Sequence, residues 1–164
     1  MSRRDEAFKR AFDLVLASLL LIPLVPVMAI LWLVIRLRDG APAIYRAERA
    51  GLDLRPVTLW KFRTMERNGQ PERGVSGGHK AHRVTPLGRR LRRSRLDELP
   101  QIFNVIGGSM SFVGPRPPMR DYVERFPALY AEILQMQPGI TGLATVMIHA
   151  REEALLDGSG SAQE

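Results

Sequence analysis

From Leu14 to Ile35 the chain runs 22 residues without a charged side chain, longer than any other such stretch. At 1.5 Å per residue a straight helix over it would measure about 33 Å, close to the roughly 30 Å hydrocarbon core of a bilayer. The run is predicted to be a membrane helix. Pro23 and Pro26 each remove a backbone donor from its interior, so a bend is expected near the middle. Arg3, Arg4, Lys9 and Arg10 precede the run and Arg36 and Arg38 follow it, whereas a spanning helix has one basic end and one depleted end. The segment is therefore expected to be re-entrant, leaving the membrane on the face where it entered, with Ser18 or packed protein meeting the carbonyls that the prolines free. A spanning helix, a cleaved signal peptide and a buried soluble helix are the alternatives. The run is long for the apolar core of a signal peptide, and no small-x-small cleavage site precedes Arg36.

After Arg38 the pattern changes. Asp39-Gly40-Ala41-Pro42 reads as a turn, and Ile44 to Met65 holds two extended segments separated by Ala50-Gly51-Leu52-Asp53. In the second segment, Val57 to Thr64, strand alternation would set Lys61 and Arg63 on one face and Trp60 and Phe62 on the other. Such a pair of cations is either a binding feature or a solvated basic face. Glu66 to Lys80 has loop composition, and the nearby pair His79 and His82 lacks a third ligand for a metal site. Ser94 to Gly108 reads as a short helix with Ser94 as N-cap, Pro100 in the first turn, and Leu96, Leu99, Ile102, Phe103 and Ile106 on one face. Pro118 to Gln135 reads as two short helices broken at Pro127, packed on the core, with Tyr122 and Tyr130 as alternative headgroup anchors. The expected architecture is mixed α/β and predominantly helical. It comprises a kinked re-entrant membrane helix with basic flanks (1–38), a small cytoplasmic domain with a short antiparallel β element (39–150), and a tail (151–164). The Gly/Ser-rich ending of that tail reads as a linker or cloning remnant, so the natural protein is expected to be longer.

Composition sharpens this picture in two ways. The 164 residues include no cysteine, which excludes disulfide scaffolds, thiolate zinc sites and cysteine nucleophiles. The 24 Lys+Arg against 17 Asp+Glu give a net charge of +7, and the excess is concentrated: Arg83 to Arg95 carries six arginines and no acid. Nucleic acid, lipid headgroups and a phosphorylated small molecule are the anionic partners to weigh. The basic run contains no aromatic to stack on bases, so nucleic acid is not expected. Near a bilayer, each cation attracts acidic lipid by about 1 kcal/mol, so part of the run is expected to hold the domain down.

Immediately after the arginines come Asp97 and Glu98, in the first turn of the expected helix. The helix dipole and the neighbouring cations both favour the ionised carboxylate there, so at least one of the two acids is expected to be charged at neutral pH. Such an acid can cap a helix, hold Mg²⁺, or attack an electrophile. Downstream, Ser111-Phe-Val-Gly-Pro-Arg116-Pro-Pro presents one arginine from a proline-stiffened backbone, an arrangement suited to clamping phosphate.

Together, KFRTM (61–65), RRSRLDELPQIFNVIGGSMSFVGPRP (92–117) and PGITG (138–142), following an amino-terminal apolar run, resemble the bacterial sugar transferases known as monotopic phosphoglycosyl transferases. The resemblance covers roughly residues 8–142. It implies transfer of a sugar 1-phosphate from a nucleoside diphosphate sugar, usually a uridine one, to polyprenyl phosphate, with Mg²⁺, at the cytoplasmic face of the bacterial inner membrane, initiating glycoconjugate synthesis. It implies that Asp97 is the nucleophile of a covalent aspartyl phosphosugar, and that Glu98 completes the acid pair and shares Mg²⁺ binding with Asp97. Lys61, Arg63, Arg92 and Arg116 would contact phosphate oxygens. It also implies a re-entrant helix, although Val25-Pro26 stands where a Ser-Pro pair is common. The reading from another class is a membrane-anchored basic module that binds anionic lipid or nucleic acid without catalysis.

Overall fold

The computed structural model describes residues 3–66 and 83–142. Its first element, α1, is a single helix from Arg3 to Arg38 that continues through both prolines. Asp5 and Glu6 in its first turn and Arg36 and Arg38 in its last complement the helix dipole. Asp13, Ala17, Met28 and Ile35 form a buried stripe, with Leu21, Leu24 and Leu31 half-buried along it. The opposite stripe, including Leu19, Ile22, Val25, Ile30 and Leu33, is bare. Only 6% of the most apolar stretch is buried, far too little for the core helix of a soluble protein. Pro23 and Pro26 deprive the carbonyls of Leu19 and Ile22 of their helical donors. Ser18 does not serve them as expected, because its hydroxyl donates to Leu14 O over 2.8 Å, in the preceding turn.

A hairpin follows. β1 (Ile44–Ala50) pairs antiparallel with β2 (Pro56–Phe62), Ile44 opposite Phe62 and Ala50 opposite Pro56. Ala47, Val57, Leu59 and Phe62 are buried in it. After Phe62 the chain leaves the strand, and Arg63 N–H donates to Ala43 O. α2 (Pro86–Arg93) starts at Thr85, whose hydroxyl accepts from Gly88 N–H over 2.9 Å. A 3₁₀ helix (Leu96–Gln101) leads directly into α3 (Ile102–Ile106), and β3 (Ser111–Val113), α4 (Arg120–Arg125), α5 (Pro127–Ile133) and β4 (Gly139–Thr141) complete the described chain. β3 and β4 pair in parallel, a second β element beyond the expected antiparallel one. A Cβ on Gly139 would overlap the Gly114 backbone, so the GPRP and PGITG segments interlock main chain to main chain.

Several local expectations are corrected. Ser94 closes α2 by donating to Arg90 O and does not open the next helix. That helix starts after Arg95, which sits at φ +58°, in the left-handed region. Phe103 is exposed beside Trp60, with ring centroids 6.1 Å apart, while Asn104 takes the buried position. α4 and α5 break near Pro127 as expected, but of Tyr122, Phe126, Leu129, Tyr130, Ile133 and Leu134, the residues expected to pack on the core, Phe126 and Leu129 are exposed and only Leu134 is fully buried. His79, His82 and the tail fall outside the described residues.

The core joins α1 to the hairpin, α2 and α3. Ala17, Met28 and Ile35 share one cluster with Ala47, Leu59, Leu91, Ile102 and Met110. Polar ties hold α1 at both ends. Near its start, Arg10 donates to Val105 O and Ile106 O at 2.5 and 2.8 Å, carbonyls at the end of α3, and Lys9 donates to Val113 O at 2.9 Å. Asp13 Oδ1 accepts from Phe112 N–H at 3.1 Å. Past its end, Arg63 donates to the carbonyls of Asp39 and Gly40, and Thr85 Oγ1 donates to Asp39 Oδ2 at 3.1 Å.

Candidate active site

The 3₁₀ helix delivers Asp97 and Glu98 onto the hairpin, where β2 supplies Lys61. Lys61 Nζ donates to Glu98 Oε1 over 2.9 Å, and Arg116 Nη2, carried on the segment after β3, donates to the same oxygen over 2.9 Å. Arg95 Nη1 stands 3.7 Å from it. Burial alone would raise the Glu98 carboxyl, but Lys61 and Arg116 outweigh burial and hold it below the usual carboxylate range. The two cations thus favour the ionised form of Glu98.

Asp97 is different. It is buried, and its Oδ1 has no hydrogen-bond partner among the described residues. Burial pushes its carboxyl above the ordinary range and Glu98 adds to that push, against the pull of Lys61 and Arg92. The expectation that at least one of the two acids is charged agrees with the lowered Glu98, while at Asp97 desolvation opposes the pull of the cations. Burial also lowers the Lys61 ammonium, which Glu98 only partly offsets. Arg92 is positioned by its Nε, which donates to Thr64 Oγ1 over 2.8 Å.

The expected partnership of Lys61 and Arg63 does not form. β2 ends at Phe62, and the Arg63 guanidinium is buried on the carbonyls that follow α1. The structure brings Lys61, Arg92 and Arg116 to the acid pair and turns Arg63 to the end of α1.

Beside Glu98 opens a cavity of about 400 Å³. Arg95, Arg116, Glu98 and Thr141 provide its polar lining, and Leu99, Ile102, Phe112 and Ile140 are joined by Leu20 and Leu24 of α1. The donors available for a cation are carboxylate oxygens, which suit a hard ion such as Mg²⁺, and the unpartnered Asp97 Oδ1 fits such a ligand. No group of three or more His, Cys, Asp or Glu occurs among the described residues, so phosphate and water oxygens would have to complete the shell.

Sequence reasoning took Lys9 and Arg10 only as a basic flank and did not single out Asp13. The signal was spacing: Arg10, Asp13 and Ala17 lie three and four residues apart, on one helical face, and an acid beside an apolar run needs a partner. It also missed Asn104, whose amide accepts from Trp60 N–H at 3.1 Å and donates to Thr58 O at 2.7 Å, fixing α3 to β2.

A buried Asp97 and a half-buried Glu98 among cations, with Glu98 lining a largely apolar cavity walled by a long apolar helix, define a class of domain suited to phosphate chemistry. The chain belongs to the bacterial sugar transferase family, which it matches over residues 4–158. It is 37% identical over 142 residues to a UDP-glucose:undecaprenyl-phosphate glucose-1-phosphate transferase of Klebsiella pneumoniae, covering 85% of this chain and 30% of that protein. It is 38% identical to the Escherichia coli protein of the same name, covering 89% of this chain and 32% of that one. It is also 38% identical to the undecaprenyl-phosphate galactose phosphotransferase of Salmonella typhimurium, covering 87% of this chain and 33% of that one. The chain thus spans about a third of the length of these relatives.

Proposed function

We propose that this protein transfers a sugar 1-phosphate from a uridine diphosphate sugar to polyprenyl phosphate, initiating membrane glycoconjugate synthesis at the cytoplasmic face of the bacterial inner membrane. The observation that carries this reading is the buried Asp97, with one unpartnered oxygen, in the field of Lys61 and Arg92, next in the chain to Glu98, which lines a cavity shared with α1. The names of the relatives support it. Glucose and galactose transferases are equally similar to this chain, so the sugar is not decided by overall identity.

In this mechanism an Asp97 carboxylate oxygen attacks the sugar-linked phosphorus. The bond from that phosphorus to the bridging oxygen breaks, and uridine monophosphate leaves with the oxygen and its electron pair. An oxygen of polyprenyl phosphate then attacks the same phosphorus, and the bond to Asp97 breaks, restoring the carboxylate. Neither displacement needs a proton from the protein. Splitting the transfer in two lets a soluble donor and a lipid acceptor use one site in turn. Lys61, Arg92 and Arg116 bind phosphate oxygens and offset charge on the leaving group. Glu98 and Asp97 would hold Mg²⁺, which supplies further charge neutralisation at the diphosphate when bound. α1 serves as a re-entrant anchor: its start and its end are both hydrogen-bonded to the same folded domain, which favours both ends lying on one side of the bilayer.

The test incubates purified protein in detergent with Mg²⁺, polyprenyl phosphate and uridine diphosphate sugars in turn. Release of uridine monophosphate that disappears in Asp97→Asn, with folding retained, supports transfer. No release with any sugar, alongside salt-sensitive binding of anionic vesicles or nucleic acid, would instead indicate a non-catalytic basic module.

A further inference from the structure

α2 turns most of its arginines outward. Gly88 and Leu91 are the buried positions of this helix. At about 100° per residue, Arg89, Arg90 and Arg93 fall within one arc of about 100°, on the side away from Leu91. All three are exposed, and none makes an ion pair among the described residues. Arg92 is set apart by its hydrogen bond to Thr64 and belongs to the candidate active site.

The place of this basic stripe is fixed by α1. Thr85, the N-cap of α2, donates to Asp39 Oδ2 over 3.1 Å, one residue past the end of α1. The basic helix therefore begins beside the point where the long apolar helix ends. Arg38, the last residue of α1, is exposed there and likewise makes no ion pair among the described residues. Further back, the Arg36 guanidinium lies over the ring of Trp32, 5.7 Å from its centroid, and Trp32 is itself exposed. An exposed tryptophan stacked by an arginine, near the end of an apolar helix, marks the level of a membrane–water boundary.

Two features select acidic lipid among the anions. α2 carries no aromatic side chain to stack on bases, which disfavours nucleic acid. Exposed arginines spread over two helices suit headgroups arrayed in a plane, whereas one dissolved anion would need them converged. We propose that Arg38, Arg89, Arg90 and Arg93 form a docking surface for acidic phospholipid headgroups, holding α2 to the bilayer where α1 ends. This rests on α1 as the anchor and not on the transfer reaction.

The full chain contains two tryptophans, so Trp60→Phe leaves Trp32 as the reporter. That protein is reconstituted into phosphatidylcholine bilayers containing either dibrominated phosphatidylglycerol or dibrominated phosphatidylcholine, whose bromines quench a tryptophan in contact with them. At low salt phosphatidylglycerol should gather at the protein about fivefold over phosphatidylcholine, the scale for one cation at a charged surface, and about 1 M NaCl should remove most of the preference. Arg89→Gln, Arg90→Gln and Arg93→Gln combined should lower it below about twofold, whereas the three lysine substitutions, which keep the charge, should retain most of it. Circular dichroism establishes that each variant is folded. Should the triple glutamine variant not fold, the three single variants answer in its place, each losing part of the preference. Equal gathering of the two lipids, or a preference that survives the glutamine substitutions in folded protein, would overturn the docking surface. Displacement of phosphatidylglycerol by a short RNA would make nucleic acid the partner, and displacement by millimolar inorganic phosphate would make the site a pocket for one anion; either overturns the assignment to lipid. If neither brominated lipid quenches Trp32, the anchor reading fails and this surface fails with it, while release of uridine monophosphate in detergent still tests transfer separately.

Discussion

Lys61 and Glu98, 37 residues apart in the chain, meet through a 2.9 Å hydrogen bond that fixes the 3₁₀ helix against the hairpin. Both side chains are mostly buried, so the pair positions Asp97 as well as binding to each other. Lys61→Met removes a cation from the field of both acids and leaves Glu98 with arginine partners only. Uridine monophosphate release should fall by about two orders of magnitude. Thermal unfolding should show a loss of about 1.5–3 kcal/mol, the usual worth of a hydrogen bond to a charged group. Unchanged turnover would detach Lys61 from the site.

The opposite shifts of the two acids predict the acid limb of the rate profile. Attack requires the ionised form of Asp97, whose carboxyl is raised chiefly by burial. The burst rate should therefore decline on acidification at a pH above that of an ordinary aspartate, and Lys61→Met should move the decline to still higher pH by removing an opposing cation. Stability follows Glu98 in the other direction: its depressed carboxyl contributes stability at neutral pH that is lost as pH falls through the folded value. An acid limb at or below the ordinary aspartate range would contradict the burial argument.

The amino-terminal arm of α1 predicts a link between anchoring and chemistry. Asp13 accepts from Phe112 N–H on β3, the strand that leads to Arg116, and Arg10 caps α3, which follows the acid pair. Asp13→Ala leaves a buried N–H unpaired, at a cost of about 1–3 kcal/mol. Turnover and the unfolding midpoint should both fall. Arg36→Gln, at the exposed far end of α1, should change neither. Equal behaviour of the two variants in both assays would show that the arm does not position the site.

Much of this site was legible because it is local in sequence. Asp97, Glu98 and Arg116 lie within twenty residues of one another, and the hairpin followed from strand-forming residues around a Gly-containing turn. What was not legible depended on packing. Alternation placed Arg63 beside Lys61, but the strand stops one residue before it, and the Arg63 guanidinium is held instead by the carbonyls of Asp39 and Gly40. Propensity made Ser94 a helix start, while its hydroxyl completes the preceding helix. The dipole argument for Asp97 ignored burial, which no short motif reports. The parallel pair of β3 with β4 joins segments 28 residues apart and depends on Gly114 and Gly139 approaching each other closely.

Gly88 carries the strongest steric prediction. In α2 it lies against the backbone of Thr64, and a Cβ there would overlap the Thr64 carbonyl. That backbone cannot yield freely, since Thr64 O accepts from Thr85 N–H at 3.0 Å and Thr64 Oγ1 accepts from Arg92. Gly88→Ala should therefore cost about 3 kcal/mol or more, at the upper end for overpacking, despite the better helix propensity of alanine. Variant that remains folded should also show reduced turnover, because displacing Thr64 releases Arg92 from its place near Asp97. Gly40→Ala is the informative comparison. Nothing lies within 4 Å of its Cβ position, and only its φ of +81° opposes the substitution. Its cost should be about 1–2 kcal/mol, without the effect on Arg92. Chemical denaturation of both variants checks the order, and a Gly88→Ala protein as stable as Gly40→Ala would refute the close contact between α2 and the strand end.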